Sequence, residues 1–140
     1  MGTPHQVGAR LDQVRAALPE VFRELGVEDA GQDREGLVFG SRDITAPRLG
    51  GERTSAWVRC GNSMGAGPSA AGSYRTKLSV LVTLRPDGER TWVTSQVTGS
   101  ATSVGGTSTE AVMCVSNGRL EQRIQELLTA RLGGAGTRAR

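Results

Sequence analysis

Histidine is nearly absent from this 140-residue chain: the single imidazole is His5. So near the start, it is not expected to serve a Ser-His-Asp or Cys-His constellation inside the folded body. Cysteine is scarce as well. Cys60 and Cys114 stand far apart, with no second Cys or His beside either. The spacings of a zinc site are therefore missing, and neither a metal nor another cofactor is expected. Aromatic residues make up only 4%, and a base-stacking platform needs them interleaved with clustered Arg or Lys. Trp57, Trp92 and Tyr74 thus read as packing residues. All but one of the 17 basic residues are Arg, the exception being Lys77, and the net charge of +3 is spread along the chain. That excess is too weak to imply nucleic acid. No apolar run approaches the roughly 18 residues of a membrane span, and MGTPHQVGAR lacks the apolar stretch of a signal peptide. The chain as given reads as soluble, without a transmembrane segment.

What is present is periodic. Residues 10–25 place Leu11, Val14, Leu18, Val21, Phe22 and Leu25 on one helical face, with Gly26 as the stop. Pro19 lies inside that pattern, where a missing donor and a crowded preceding turn predict a kink or a break. A short β-rich run at 37–44 predicts a first strand, and SAWVRCG (55–61) a second, with Ala56, Val58 and Cys60 on one side and Trp57 and Arg59 on the other. The glycine-rich 61–73 reads as a loop. It lacks the ending and the following helix of a phosphate loop. The clearest alternation is YRTKLSVLVTL (74–84). Pro86, Asp87 and Gly88 then suit a tight turn, and TWVTSQVTGSAT returns as the second arm of a long hairpin. Gly105 and Gly106 close that strand, and TEAVMCVS (109–116) provides a fifth. In RLEQRIQELLTARL (119–132), Leu120, Ile124, Leu127, Leu128 and Leu132 form one stripe, with Ser116, Asn117 and Gly118 suited to its N-cap.

Helix, antiparallel meander, helix: each helix has one apolar stripe and the sheet one apolar face. The expected fold is a two-layer α+β sandwich, with about five strands and both helices on one face of the sheet. A single domain spans 10–132, with 1–9 as an N-terminal extension and 133–140 as a disordered tail. The opposite face, rich in Thr, Ser and Arg, should meet water. Arg59, Arg75, Lys77 and Arg85 are its candidate anion-facing set, against a plain solvated face. Asp29, Asp33, Glu35 and Asp43 read as solvated carboxylates, since no apolar pocket is evident to raise a pKa.

Cys60 and Cys114 both fall in predicted strands. They read as a disulfide, with two buried free thiols as the alternative. Closing the loop between them would stabilise the fold by roughly 4 kcal/mol in the chain-entropy model. A disulfide points to the periplasm or cell envelope, free thiols to the cytoplasm.

Cys60-Gly61, Tyr74 heading a long strand, and Cys114-Val-Ser-Asn-Gly-Arg-Leu-Glu121 opening an amphipathic helix together resemble uncharacterised lipoprotein-like proteins of the bacterial envelope. More remotely, the combination is similar to the helix-grip modules of the lipoproteins that accompany the outer-membrane β-barrel assembly machinery. The likeness covers about residues 10–132. The lipidated cysteine of those proteins is absent here, and the strand they place before the first helix would fall on PHQVGAR. The resemblance implies a fold and a compartment and assigns no catalytic residue. Three functions follow as expectations. The first is a non-enzymatic interaction or structural domain of the envelope, its partner an unknown protein or envelope component. The second is a carrier holding an apolar molecule or lipid in a cavity lined by Leu78, Val80, Val82, Ile124 and Leu128. The third, ranked last, is an enzyme using carboxylates or Arg alone.

Overall fold

In the computed structural model the described residues are 4–60, 74–103 and 111–132, the side chains of Tyr74, Arg75, Ser103 and Ala111 excepted. The glycine-rich run 61–73, Gly105 and Gly106, and the tail 133–140 lie outside them. Elements in chain order are β1 (His5–Val7), α1 (Leu11–Leu25), β2 (Gly31–Gln32), β3 (Val38–Ile44), β4 (Arg48–Leu49) and β5 (Glu52–Arg53). A 3-10 turn (Thr54–Trp57) leads into β6 (Val58–Arg59), β7 (Tyr74–Asp87), β8 (Arg90–Ser103), β9 (Ala111–Ser116) and α2 (Arg119–Arg131).

The β7–β8 hairpin organises the fold. Its arms are 14 residues each and pair along their whole length, from Tyr74–Ser103 to Asp87–Arg90. The connection is the two residues Gly88 and Glu89, and Gly88, at φ 64°, supplies the positive φ that such a short turn needs. Pro86 therefore lies in the strand opposite Thr91 rather than in the turn. On the free edge of β7 lies β3, itself edged by β2. The free edge of β8 is shared: β1 pairs with Thr91–Val93, β9 with Thr98–Thr102, and β6 adds to β9. All these pairings are antiparallel.

The main sheet thus has seven strands, with a separate two-stranded β4–β5 unit, where the periodicity predicts about five. The additions are two- or three-residue pieces, too short to show a period; a partner's edge defines them, not their own pattern. Residues 5–7, which the sequence reading sets before the domain, belong to the sheet: the hydroxyl of buried Thr91 donates to the Ala9 carbonyl at 2.8 Å and fastens this junction. The strand expected over 55–61 shrinks to Val58–Arg59. Trp57 ends the preceding 3-10 turn and is buried, a packing residue as expected, on the same side as Val58 rather than opposite it.

Both helices cover one face of the sheet, as the apolar stripes predict. Val14, Leu18, Val21, Phe22 and Leu25 of α1 and Leu120, Ile124 and Leu128 of α2 are buried on the inward side chains of β3, β7 and β8. Each such side chain contributes roughly 1.5–3 kcal/mol. Phe22 meets Phe39 edge to ring at 5.0 Å. Gly26, in the left-handed region at φ 93°, ends α1 as expected. The break predicted at Pro19 does not occur, and α1 runs uninterrupted through it. The buried neighbours Leu18, Val21 and Phe22 hold that turn against the sheet, and packing outweighs one lost hydrogen bond. At Gly40 the crossing of β3 over β7 is so close that a Cβ would stand 2.0 Å from the Val80 carbonyl oxygen. No side chain fits there.

Candidate functional site

Strand alternation gives the sheet a second face, which neither helix covers. Its register sets outward residues in rows. One row runs Arg59 (β6), Val115 (β9), Thr98 (β8), Ser79 (β7); the next runs Met113, Ser100, Lys77. Further rows hold Gln96 with Leu81, Thr94 with Thr83, and Trp92 with Arg85. Hydroxyl and amide side chains hold the middle of these rows, with Arg59, Lys77 and Arg85 at their ends. Met113 and Val115 are the face's most exposed apolar side chains among the described residues, 75% and 64% exposed on β9.

The margin of this face is built rigidly. Trp57 is buried and its indole N–H donates to the Leu49 carbonyl at 2.8 Å, which ties the β4–β5 unit to the start of β6. Arg119 and Arg123 of α2 stand over the Trp57 ring at 5.0 and 5.8 Å, and Arg119 pairs with Glu52 at 2.6 Å. Asn117 reaches the Ala56 carbonyl through its side chain and the Trp57 carbonyl through its backbone N–H. Beyond the Arg59–Val115 pair, Cys60 and Cys114 are joined by a disulfide, their Cα atoms 4.0 Å apart. Cys114 is buried on the inner face. Of the two readings of the cysteines, the disulfide is the one realised.

Arg59, Lys77 and Arg85 are exposed on the outer face, but they do not converge. Lys77 and Arg85 are eight residues apart on one strand, about 26 Å. Arg85 stacks over Trp92 at 5.5 Å, and only the backbone of Arg75 is described, opposite Thr102. Trp57 in the core and Trp92 on the outer face share no platform. The five residues proposed to line an apolar cavity, Leu78, Val80, Val82, Ile124 and Leu128, are each at most 1% exposed and lie in one continuous core cluster. All five belong to the core between helix and sheet.

Clefts open beside each helix. One, about 180 Å³, lies between β1 and α2 and is lined by His5, Gln6, Val7, Gly8, Gln125, Thr129 and Leu132. His5 is thus part of the folded body, contrary to the sequence reading. Half-buried there, its imidazole is held below the usual histidine range by desolvation, and its Nε2 has no hydrogen-bond partner. The buried Ser95 hydroxyl, two residues along β8 from His5's partner Val93, is also unpartnered. The cleft lining holds no carboxylate to orient the imidazole as a base. The second cleft, about 260 Å³, lies by the end of α1 and includes Arg23, Glu28 and Phe39.

Two of the candidate carboxylates are occupied with structure. Asp33 accepts the backbone N–H groups of Val38 and Leu37, which holds its carboxyl below the usual range, and Asp29 accepts the Ser41 hydroxyl. Asp43 sits at a bulge in β3 with φ 56°, its N–H donating to Ser79. Among the described residues no group of three or more His, Cys, Asp or Glu side chains is arranged to hold a metal, and no helix is long and apolar enough to cross a membrane.

Sequence reasoning missed the exposure of Met113 and Val115. The signal was available: a buried, paired Cys114 forces its two neighbours to the other face. Compared with known proteins, the chain matches no family model, and no curated protein or solved structure matches it.

Proposed function

We propose that this protein is a non-enzymatic interaction domain of the bacterial cell envelope, and that its open sheet face is the working surface. The observation that carries the reading is the pairing of a covered face with an uncovered one. The covered face is closed by two helices, while the uncovered face carries two large apolar side chains in water beside cations. Exposed apolar groups cost solubility, so a face that sets Met113 beside Val115 is suited to a partner. The disulfide supports the compartment: it persists where the surroundings are oxidising. Two helices on one side of an antiparallel sheet also support kinship with the helix-grip modules of envelope lipoproteins.

The test has two parts. Protein isolated from its own cells is acid-quenched and alkylated in denaturant, with and without reductant; both cysteines should resist until reduced. A photo-crosslinking residue placed at Met113 should then give adducts in cells, whereas one placed at the exposed Glu89 of the hairpin tip should not. Free alkylation of both thiols would remove the compartment, and identical labelling from the two positions would remove the surface.

A further inference from the structure

The register of the outer face assigns it a partner of definite chemistry: we infer that the β9 margin docks on an anionic lipid surface, with Met113 and Val115 entering the headgroup boundary between Arg59 and Lys77. The inference rests on the open face being the working surface and adds what that surface meets.

Val115 lies directly opposite Arg59 on β6, so an exposed cation stands about 5 Å away on one side. Met113 lies opposite Ser100, which lies opposite Lys77, so a second exposed cation stands about 10 Å away on the other side. Met113 and Val115 are two residues apart on the same side of one strand, about 7 Å. An apolar pair is therefore bracketed by two cations on long stems. Arg and Lys can lay their methylenes along apolar surface while the charged ends remain at phosphate level.

The surroundings fit this partner. The side chains between the brackets, Thr98 and Ser100, are hydroxyls that can donate to phosphate oxygens and bear no charge. Asp43, whose backbone N–H donates to the Ser79 hydroxyl at the far end of the Val115 row, is three strands away, about 14 Å. A protein partner of ordinary size covers about 800 Å² a side around an apolar centre. The rest of this face offers mainly hydroxyls and amides. A lipid surface accepts two apolar side chains without needing a large complementary patch. Binding of this kind is weak, reversible and salt-dependent, each cation near an anionic surface contributing about five-fold.

The full, disulfide-bonded chain is sedimented at low ionic strength with vesicles of phosphatidylglycerol and phosphatidylcholine, and with phosphatidylcholine alone. Binding should occur on the anionic vesicles only and disappear as salt is raised. Arg59→Gln and Lys77→Gln should each weaken it about five-fold. Met113→Ser with Val115→Ser should abolish it while circular dichroism and the Trp57 signal stay unchanged. Arg85→Gln, at the far end of the same face, is the control and should bind nearly as the parent does. Equal binding to both vesicle types, no binding, or an Arg85→Gln loss equal to the Lys77→Gln loss would overturn the lipid inference. In that event, crosslinking from Met113 to a protein leaves the interaction reading standing. Absence of both vesicle binding and crosslinking removes the two together.

Discussion

The two faces of the sheet are made from the same strands and differ only in which alternate residue each presents. On the inner face Val80 of β7 lies opposite Val97 of β8 and Leu84 opposite Val93, and burial there is nearly complete. On the outer face the intervening residues of the same strands are mainly Thr, Ser, Gln, Lys and Arg. The difference shows where stability and recognition reside. The inner face supplies free energy through apolar burial. The outer face, exposed to water along most rows, is free to carry chemistry at little cost to the fold.

The largest effect should come from the inner side. Trp57→Ala removes the largest buried side chain and a buried hydrogen bond, and should cost about 3–5 kcal/mol, read as a lower denaturant midpoint. Leu78→Ala should cost about 2–5 kcal/mol by the same measurement. Replacing Cys60 and Cys114 together by Ser should cost about 2–4 kcal/mol, because the unfolded chain regains the freedom of a long loop. A Tm equal to the parent's under non-reducing conditions would show the crosslink to be dispensable.

His5 sharpens the contrast through pH. Burial lowers its folded pKa below the unfolded value of 6.5, so the unfolded state takes up the proton first. Stability should therefore be independent of this group well above pH 6.5 and fall as pH drops through that value, until the folded imidazole also protonates. The slope should vanish in His5→Gln, as urea titrations at several pH values would reveal. The smallest effect belongs to the outer face: Met113→Ser with Val115→Ser should change stability by no more than about 0.5 kcal/mol per site. A larger loss would mean that these side chains are covered within the chain itself.

Much of the fold was legible because long elements repeat a signal. The hairpin alternates over 14 residues per arm, and both helices carry apolar stripes of three or more turns. The short strands were illegible for the opposite reason: Gly31–Gln32 and Val58–Arg59 have no period, and only a neighbour's free hydrogen-bonding edge makes them strands. Pro19 misled because a local rule was applied where packing of Leu18, Val21 and Phe22 governs. Of the candidate site, the sequence showed which residues share a face but not their separation. Arg59, Lys77 and Arg85 do share it, yet the hairpin's length keeps the last two apart. Alternation says that Leu78 and Val80 point inward, not how fully α2 fills the room above them.

The shared edge of β8 has a consequence for the order in which the molecule can assemble. His5 finds its place opposite Val93, about 88 residues later in the chain, and β9 takes the remaining length of the same edge. Closing so long a segment is entropically slow and brings no reward until the hairpin already exists. Residues 5–7 are thus among the last to be seated. Until then β8 offers an open row of amides and carbonyls to any extended chain nearby, and β1 and β9 must arrive side by side to close it.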